Sequence, residues 1–186
     1  MNRKLLPMLL AMGIVLATIS CVKDTDFEQA EDVTIRPVVE TNLVFFDLEG
    51  AEFYDTVSNI PRAQLSDTTE IRFLDDTGFQ ENLLRAEFLF RFDNRIPRDF
   101  LVTYDFISEA GEITYSTFTT VPAGSEADPS TPEDFVEIIE GQGIIDLTSA
   151  NRVVVTVSMD NAIPGLPGSF NMQSTATFFL EIKERD

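Results

Sequence analysis

Three residue types that carry much of protein chemistry are missing or scarce in this sequence. It contains no histidine and no tryptophan, and Cys21 is its one cysteine. The lack of histidine excludes Ser-His-Asp triads and Cys-His pairs, and it excludes nearly all zinc and iron sites. With a single cysteine, no disulfide can form within the chain. Enzyme chemistry is thereby restricted to carboxylates, hydroxyls and arginines, and the sequence predicts a protein that is not an enzyme.

Basic residues are also few. The chain has 13 lysines and arginines against 32 aspartates and glutamates, which gives a formal net charge of −19. Such a charge repels nucleic acid and offers no polybasic patch to anionic lipids. The main interpretation is a solvated acidic surface. The alternative is that some carboxylates bind Ca²⁺, although no segment has the pattern of an EF-hand loop.

The first twenty residues have the pattern of an export signal. Arg3 and Lys4 form a short positive region, and residues 5–19 carry no charge. A bilayer-spanning helix needs roughly 20 apolar residues, so this shorter run fits the hydrophobic region of a cleaved signal peptide. Residues 1–20 are therefore predicted to be removed from the mature protein.

The end of this signal, Thr18-Ile19-Ser20-Cys21, resembles the lipobox of bacterial lipoproteins, with Thr18 at the place where leucine is usual. The resemblance implies cleavage before Cys21 and attachment of lipid chains to that cysteine. More than one acyl chain anchors a protein stably to a membrane without spanning it. The alternative is a signal peptide that ends at a cysteine by chance.

Residues 21–32 are predicted to form an acidic tether, because half of them are charged and they cannot bury enough apolar surface to order themselves. The start, Cys21-Val22-Lys23-Asp24, resembles the Lys-plus-acid signals that direct some lipoproteins to the outer face of the outer membrane. The alternative is a charged stalk without a targeting role. The sequence indicates the cell envelope, with the outer membrane preferred and a surface-facing position preferred to a periplasmic one.

From residue 33 onward, apolar and polar residues alternate in the manner of half-buried β-strands. In residues 85–92, for example, Ala86, Phe88, Phe90 and Phe92 share one face. Residues 100–107 and 113–121 enclose a short glycine-containing loop and predict a β-hairpin. Further strands are predicted at 43–48, 51–54, 70–74, 135–139, 153–159 and 170–182, a loop at 61–68 and one helical turn at 146–151.

These elements predict an all-β protein without a helix of three turns. Hairpins and short loops favour antiparallel pairing, and two sheets packed face to face bury the apolar faces. The predicted fold is an antiparallel two-sheet sandwich, immunoglobulin-like, that forms a single domain over residues 33–186; a closed barrel is the alternative. Residues 88–112 also resemble the strand, Asn-x-x-Pro and hairpin arrangement of the LEA14/WHy family, which implies a small sandwich domain and no catalytic residues.

One short motif occurs twice, each time after a strong strand. Phe92-Asp93-Asn94-Arg95-Ile96-Pro97 parallels Met159-Asp160-Asn161-Ala162-Ile163-Pro164. Aspartate and asparagine bond nearby backbone groups in Asx-turns, and the residue before proline is held extended, so the main interpretation is a strand terminator used twice. The functional alternative is that Asp93, Asn94, Asp160 and Asn161 share a Ca²⁺ ion, because oxygen ligands from several loops suit that ion.

Two Asp-Thr motifs, Asp55-Thr56-Val57 and Asp67-Thr68-Thr69, resemble sites that are glycosylated in some bacterial envelope proteins. The resemblance makes Thr56 and Thr68 candidate glycosylation sites. The alternative is a chance match, because a three-residue pattern occurs often.

Taken together, these features predict a membrane-anchored, non-enzymatic outer-membrane lipoprotein that binds another envelope component or an external ligand. One alternative is a carbohydrate-binding or uptake accessory lipoprotein, for which Tyr54, Tyr104 and Tyr115 are the candidate platforms. Another is a pilus-like structural subunit that polymerises by strand exchange. A carboxylate-based enzyme, the least favoured alternative, requires two convergent, partly buried acids in one cleft. Apart from the Ca²⁺ alternative, no cofactor is predicted.

Overall fold

The computed structural model describes residues 34–183, and its compact body extends over Ile35–Ile182. Its strands are β1 (Thr34–Ile35), β2 (Val38–Glu49), β3 (Tyr54–Asp55), β4 (Ile60–Pro61), β5 (Gln64–Glu70), β6 (Leu83–Asn94), β7 (Phe100–Ile107), β8 (Ile113–Val121), β9 (Phe135–Glu140), β10 (Arg152–Ser158), β11 (Ser169–Leu180) and β12 (Ile182–Lys183). Two short α-helices, Thr77–Asn82 and Gln142–Thr148, and two 3-10 helices, Gly50–Phe53 and Arg72–Asp75, lie between them. Across residues 34–183, no helix is long and apolar enough to cross a bilayer.

Eight of these strands form two four-stranded antiparallel sheets. The order is β2-β11-β6-β9 in one sheet and β5-β10-β7-β8 in the other. The long strands pair from the ends of the sequence inward: β2 with β11, β5 with β10, β6 with β9, and β7 with β8. The chain is therefore one long hairpin, reversed at the β7–β8 loop and wound into two sheets. This arrangement is a jelly roll.

The antiparallel two-sheet sandwich predicted from the sequence is confirmed, but the strand order differs from the predicted immunoglobulin-like order. An immunoglobulin sheet places consecutive strands such as A and B side by side. Among the eight long strands here, β7 and β8 are the one consecutive pair that are neighbours in a sheet. Alternating apolar residues reveal which face of a strand is buried, but they do not reveal which strand lies beside it. The local pattern therefore predicts the layers and not their order.

Aromatic side chains from both sheets fill the space between them. Phe88 of β6 stacks on Phe106 of β7 with the ring centroids 5.3 Å apart, and the ring centroids of Phe90 and Tyr104 are 4.0 Å apart. All four side chains are almost completely buried. Burial of one phenylalanine stabilises the fold by about 1.5–3 kcal/mol, so these aromatics hold the two sheets together. The inward face predicted for residues 86–92 is confirmed.

The sequence-based predictions fail where the apolar pattern is weakest. β5 lies largely within residues predicted as a loop, and the strand predicted at 70–74 is mostly the 3-10 helix Arg72–Asp75. Residues 51–54 are likewise mostly a 3-10 helix, and the helical turn predicted at 146–151 begins earlier, at Gln142. β5 is an edge strand with Leu65 as its one apolar residue. Such a strand has little alternation to detect, because water reaches most of its side chains.

The sandwich has two sides on which an edge strand of one sheet faces an edge strand of the other: β8 faces β9, and β5 faces β2. These two sides differ. On one side, Tyr115 and Thr117 of β8 both donate hydrogen bonds to the carboxylate of Glu137 in β9, with Thr117 Oγ1 3.1 Å from Glu137 Oε2. This carboxylate joins the edge of one sheet to the edge of the other. On the opposite side, a groove lined by Phe46 and Leu65 separates β2 from β5. Glu137 thus closes one side of the sandwich, whereas the other side stays open.

We expect two tyrosines to make stability depend on alkaline pH. Burial raises the pKa of Tyr104, and burial together with the hydrogen bond and charge of Glu137 raises the pKa of Tyr115. A phenol whose folded-state pKa is raised contributes stability below the unfolded value of about 10, and this stability is lost as the pH rises above it. Tyrosinate absorbance, recorded beside circular dichroism, measures the ionisation. Glu137→Gln is expected to lower the pKa of Tyr115 and to leave the pKa of Tyr104 unchanged. Formation of both tyrosinates near pH 10 in the folded protein would contradict the prediction.

Candidate binding site

A cleft of about 660 Å³ lies at one end of the sandwich, where β7 begins and β8 and β10 end. Its floor is apolar, because Ala63, Leu101 and Pro122 expose apolar surface there beside the buried Phe100, Val121 and Met159. Its rim is polar and carries Gln64, Asp99, Thr120, Ser158 and Asp160. An apolar floor with a few polar groups at the rim, in a volume of this size, is typical of a ligand site.

Two exposed carboxylates mark the rim. Asp99 directly precedes β7, and its Oδ1 accepts a hydrogen bond of 2.7 Å from the backbone N–H of Ala123. This contact ties the start of β7 to the segment after β8. Asp160 follows β10 by two residues and makes no side-chain hydrogen bond or ion pair within residues 34–183. The rim therefore presents one anchored and one unpaired negative charge.

The two copies of the repeated motif lie at this same end. Arg98, four residues after Asn94, donates from Nε to the carbonyl oxygen of Asn161 at 3.4 Å. The equivalent residues nevertheless differ in environment. Asn94 is completely buried, whereas Asn161 is exposed and has a φ of 56°. The common sequence pattern thus ends both strands, but the two asparagines have different roles.

Asn94 joins three segments of the chain. Its Nδ2 donates to the carbonyl oxygens of Arg98 at 2.9 Å and Pro122 at 2.7 Å, and its Oδ1 accepts from the N–H of Ile96 at 2.9 Å. Its backbone exchanges two further hydrogen bonds with Ser130, at 2.9 and 2.8 Å. The Asn94 side chain therefore fixes the β6–β7 turn against the segment that follows β8, and both segments border the cleft.

The four residues predicted to share Ca²⁺ do not converge. Asp93 forms an ion pair with Arg95, with Asp93 Oδ1 3.0 Å from Arg95 Nε, and the amide of Asn94 is used in the contacts above. Asp160 lies at the cleft rim and Asn161 beside it. Between residues 34 and 183, no group of three or more acidic side chains is arranged as a metal site. Calcium binding remains a prediction, and these residues offer no formed site for it.

The other predicted sites fall into two groups. Cys21 and the signal peptide lie outside the described residues. Thr56 is exposed in the turn between β3 and β4, next to Val57, which is 94% exposed. Thr68 is exposed on the edge strand β5, and its N–H donates to the Asp67 carboxylate at 2.8 Å. Both threonines are accessible, and their glycosylation remains a prediction.

Of the tyrosines suggested as platforms for carbohydrate binding, Tyr54 and Tyr115 are partly buried and Tyr104 is fully buried. Tyr104 lies in the core with its hydroxyl directed at Met172 Sδ, 3.1 Å away, so its prediction as a platform is wrong. Tyr115 is partly buried against Glu137. The most exposed aromatic side chains within residues 34–183 are Phe45 and Phe118, at 60% and 66%. Sequence reasoning assigned aromatics to the core, and the exposure of these two depends on their being outward-facing residues of edge strands.

Comparison with known proteins adds fold-level similarity only. No family model and no curated protein matches the chain. It is similar to VP2 of infectious bursal disease virus in a subviral particle, with 8% identity, a TM-score of 0.43, and coverage of 77% of this chain and 32% of that chain. It is also similar to the enzymatically active domain of tailspike protein 4 of bacteriophage CBA120, with 11% identity, a TM-score of 0.38, and coverage of 81% of this chain and 20% of that chain. The similarity to Desmodium yellow mottle tymovirus has 8% identity, a TM-score of 0.32, and coverage of 83% of this chain and 91% of that chain.

The chain spans about a third of the length of the VP2 chain it resembles, 32%. At these identities and TM-scores the neighbours carry no argument about function.

Asn94→Ala is expected to destabilise the protein by about 3 kcal/mol, because it leaves two partly buried carbonyls and one buried N–H without their partner. The free energy of unfolding, measured in urea, tests this. The matched control is Asn161→Gly, which removes the equivalent exposed side chain and still allows the positive φ. It is expected to change stability by no more than about 0.5 kcal/mol. Equal effects of the two substitutions would show that the buried hydrogen bonds are not the cause.

Proposed function

We propose that this protein is a lipid-anchored, non-enzymatic binding module of the bacterial cell envelope, and that it holds its partner at the cleft at the end of the sandwich. The observation that carries the proposal is the cleft itself, with its apolar floor and its polar, acidic rim. The lipobox-like sequence at Cys21 supplies the anchor, and residues 21–32 supply the tether. The anchor holds the module near the membrane.

The form of the cleft supports binding rather than catalysis. A carboxylate-based enzyme places two acids in a partly buried site, where one of them is kept protonated. Asp99 and Asp160 are both exposed at the rim. Both carboxylates are in contact with water, so the cleft lacks the partly buried pair of acids that such an enzyme uses. Capture of a partner is the function that this geometry favours.

The open side of the sandwich gives no support to assembly by strand exchange. The β2 edge is interrupted by a bulge, in which Leu43 and Val44 lie opposite Ser174 of β11. On β5, Asp67 pairs with Val155 and so occupies an inward-facing register position at the edge. Bulges and inward-pointing charges are features that protect natural sheet edges from pairing with another strand. This side therefore fits a module that binds through its end rather than a subunit that polymerises through its edges.

Anchoring through Cys21 predicts the location of the protein. Wild-type protein is expected to fractionate with the outer membrane, and Cys21→Ala is expected to leave that fraction, because the lipid chains are lost. Protease treatment of intact cells, with a periplasmic protein as control, then distinguishes the faces. Digestion while the periplasmic control survives indicates the cell surface, as proposed. If the protein is protected until the cells are lysed, the module faces the periplasm. If Cys21→Ala remains in the membrane fraction, the lipid anchor is overturned.

Binding at the cleft predicts a site-specific crosslink in living cells. A photoreactive amino acid at Leu101, which lines the cleft and is 41% exposed, is expected to trap one discrete partner. The matched control is the same amino acid at Ile113, which is 59% exposed on β8, near the opposite end of the sandwich. The mass shift of the protein on immunoblots measures crosslinking at each of the two positions. A crosslink at Ile113 and none at Leu101 would show that the partner binds elsewhere.

A further inference from the structure

The cleft at the end of the sandwich has a charge as well as a shape. The residues that line it include two carboxylates, Asp99 and Asp160, and no lysine or arginine. The whole chain carries a formal charge of −19, so the surrounding field has the same sign. We propose that the cleft binds the side chain of an arginine or lysine in an extended segment of a partner protein. This inference rests on the proposed function and names the chemistry of the partner.

The apolar floor determines which kind of cation fits. An inorganic cation gains nothing from the apolar surface that Ala63, Leu101 and Pro122 expose in the cleft. Arginine and lysine carry the charge on an apolar stem of three or four methylene groups, which packs on apolar surface while the charged end stays in water. The stem would lie on the floor and the charged end at the rim.

The rim carboxylates are available to such a group. Asp99 uses Oδ1 to accept from the Ala123 N–H, which leaves Oδ2 without a hydrogen-bond donor among the described residues. Asp160 has no ion-pair partner there. The nearest arginine in sequence, Arg98, directs its guanidinium at backbone carbonyls, with Nη1 2.7 Å from Pro97 O and Nε 3.4 Å from Asn161 O. Within residues 34–183, no arginine or lysine forms an ion pair with either rim carboxylate.

Buried contacts support the side of the cleft that carries Asp99. Asn94 binds the carbonyl oxygen of Pro122, a cleft residue, and that of Arg98, which precedes Asp99. A Cβ added at Gly124 would lie 1.8 Å from Asn94 O, so the chain passes the buried asparagine in van der Waals contact. A preformed site loses less entropy on binding than one that must be ordered.

The test is a nuclear magnetic resonance titration of the full-length mature protein, labelled with ¹⁵N in detergent. The probe is the peptide acetyl-Gly-Leu-Arg-Leu-Gly-amide, and the control peptide replaces arginine by citrulline, which has nearly the same shape and no charge. The arginine peptide is expected to shift the amide signals of the cleft residues at low salt. Shifts spread over the whole acidic surface, or equal binding of the citrulline peptide, would overturn the proposal.

The matched variants separate this site from the general negative charge. The double variant Asp99→Asn with Asp160→Asn removes two charges from the cleft and keeps a side-chain oxygen that can accept from the Ala123 N–H. The control double variant, Glu109→Gln with Glu112→Gln, removes two charges from the β7–β8 loop at the opposite end of the sandwich. The first pair is expected to weaken binding about tenfold, the effect of two exposed ion pairs, and the second pair to change it by less than about twofold. Equal losses in the two pairs would overturn the inference.

The in-cell crosslink at Leu101 keeps the inference and the proposed function apart. If Asp99→Asn with Asp160→Asn abolishes that crosslink, the inference is supported in the cell. If the crosslink persists in this variant, a partner occupies the cleft without using its charge, and only the inference fails. If Leu101 gives no crosslink in the wild type, the proposed function fails as well.

Discussion

The end of the sandwich that carries the cleft depends on one buried amide. Asn94 is the last residue of β6 and is inaccessible to water, yet both atoms of its amide group and both of its backbone polar groups are hydrogen-bonded. A buried amide without partners costs more than a hydrogen bond gains, so the surrounding chain must adopt the path that satisfies it. The β6–β7 turn and the β8–β9 connection are therefore fixed relative to each other, and with them the cleft rim.

The jelly-roll winding explains why a site forms at this end. Consecutive long strands mostly alternate between the two sheets, so most connections cross from one sheet to the other at an end of the sandwich. Such crossings bring residues distant in sequence together, as Gln64, Asp99, Thr120 and Asp160 show at the cleft. A rigid double sheet supports them, and the connections themselves vary without disturbing the core. This division of roles between scaffold and loops is common in binding proteins.

The sheets themselves are held by different means on their faces and edges. Between the faces, phenylalanine and tyrosine rings supply apolar burial that does not depend on ionic strength. At the edges, the Glu137 carboxylate closes one side through Tyr115 and Thr117, whereas the β2–β5 side is open and protected by a bulge and by Asp67. The end cleft adds to this framework a surface that combines apolar character with unmatched negative charge.

Sequence alone determined the residue chemistry and the layers of this protein. The absence of histidine, the acidic charge, the signal-like pattern before Cys21 and the period-two pattern of strands such as β6, β7 and β8 are local properties, and local properties are readable without a structure. The jelly-roll order, the edge strand β5 and the separation of Asn94 from Asn161 were decided by the tertiary structure. Which strands pair, and which of two identical dipeptides becomes buried, depends on contacts between residues far apart in the chain, and no local pattern contains them.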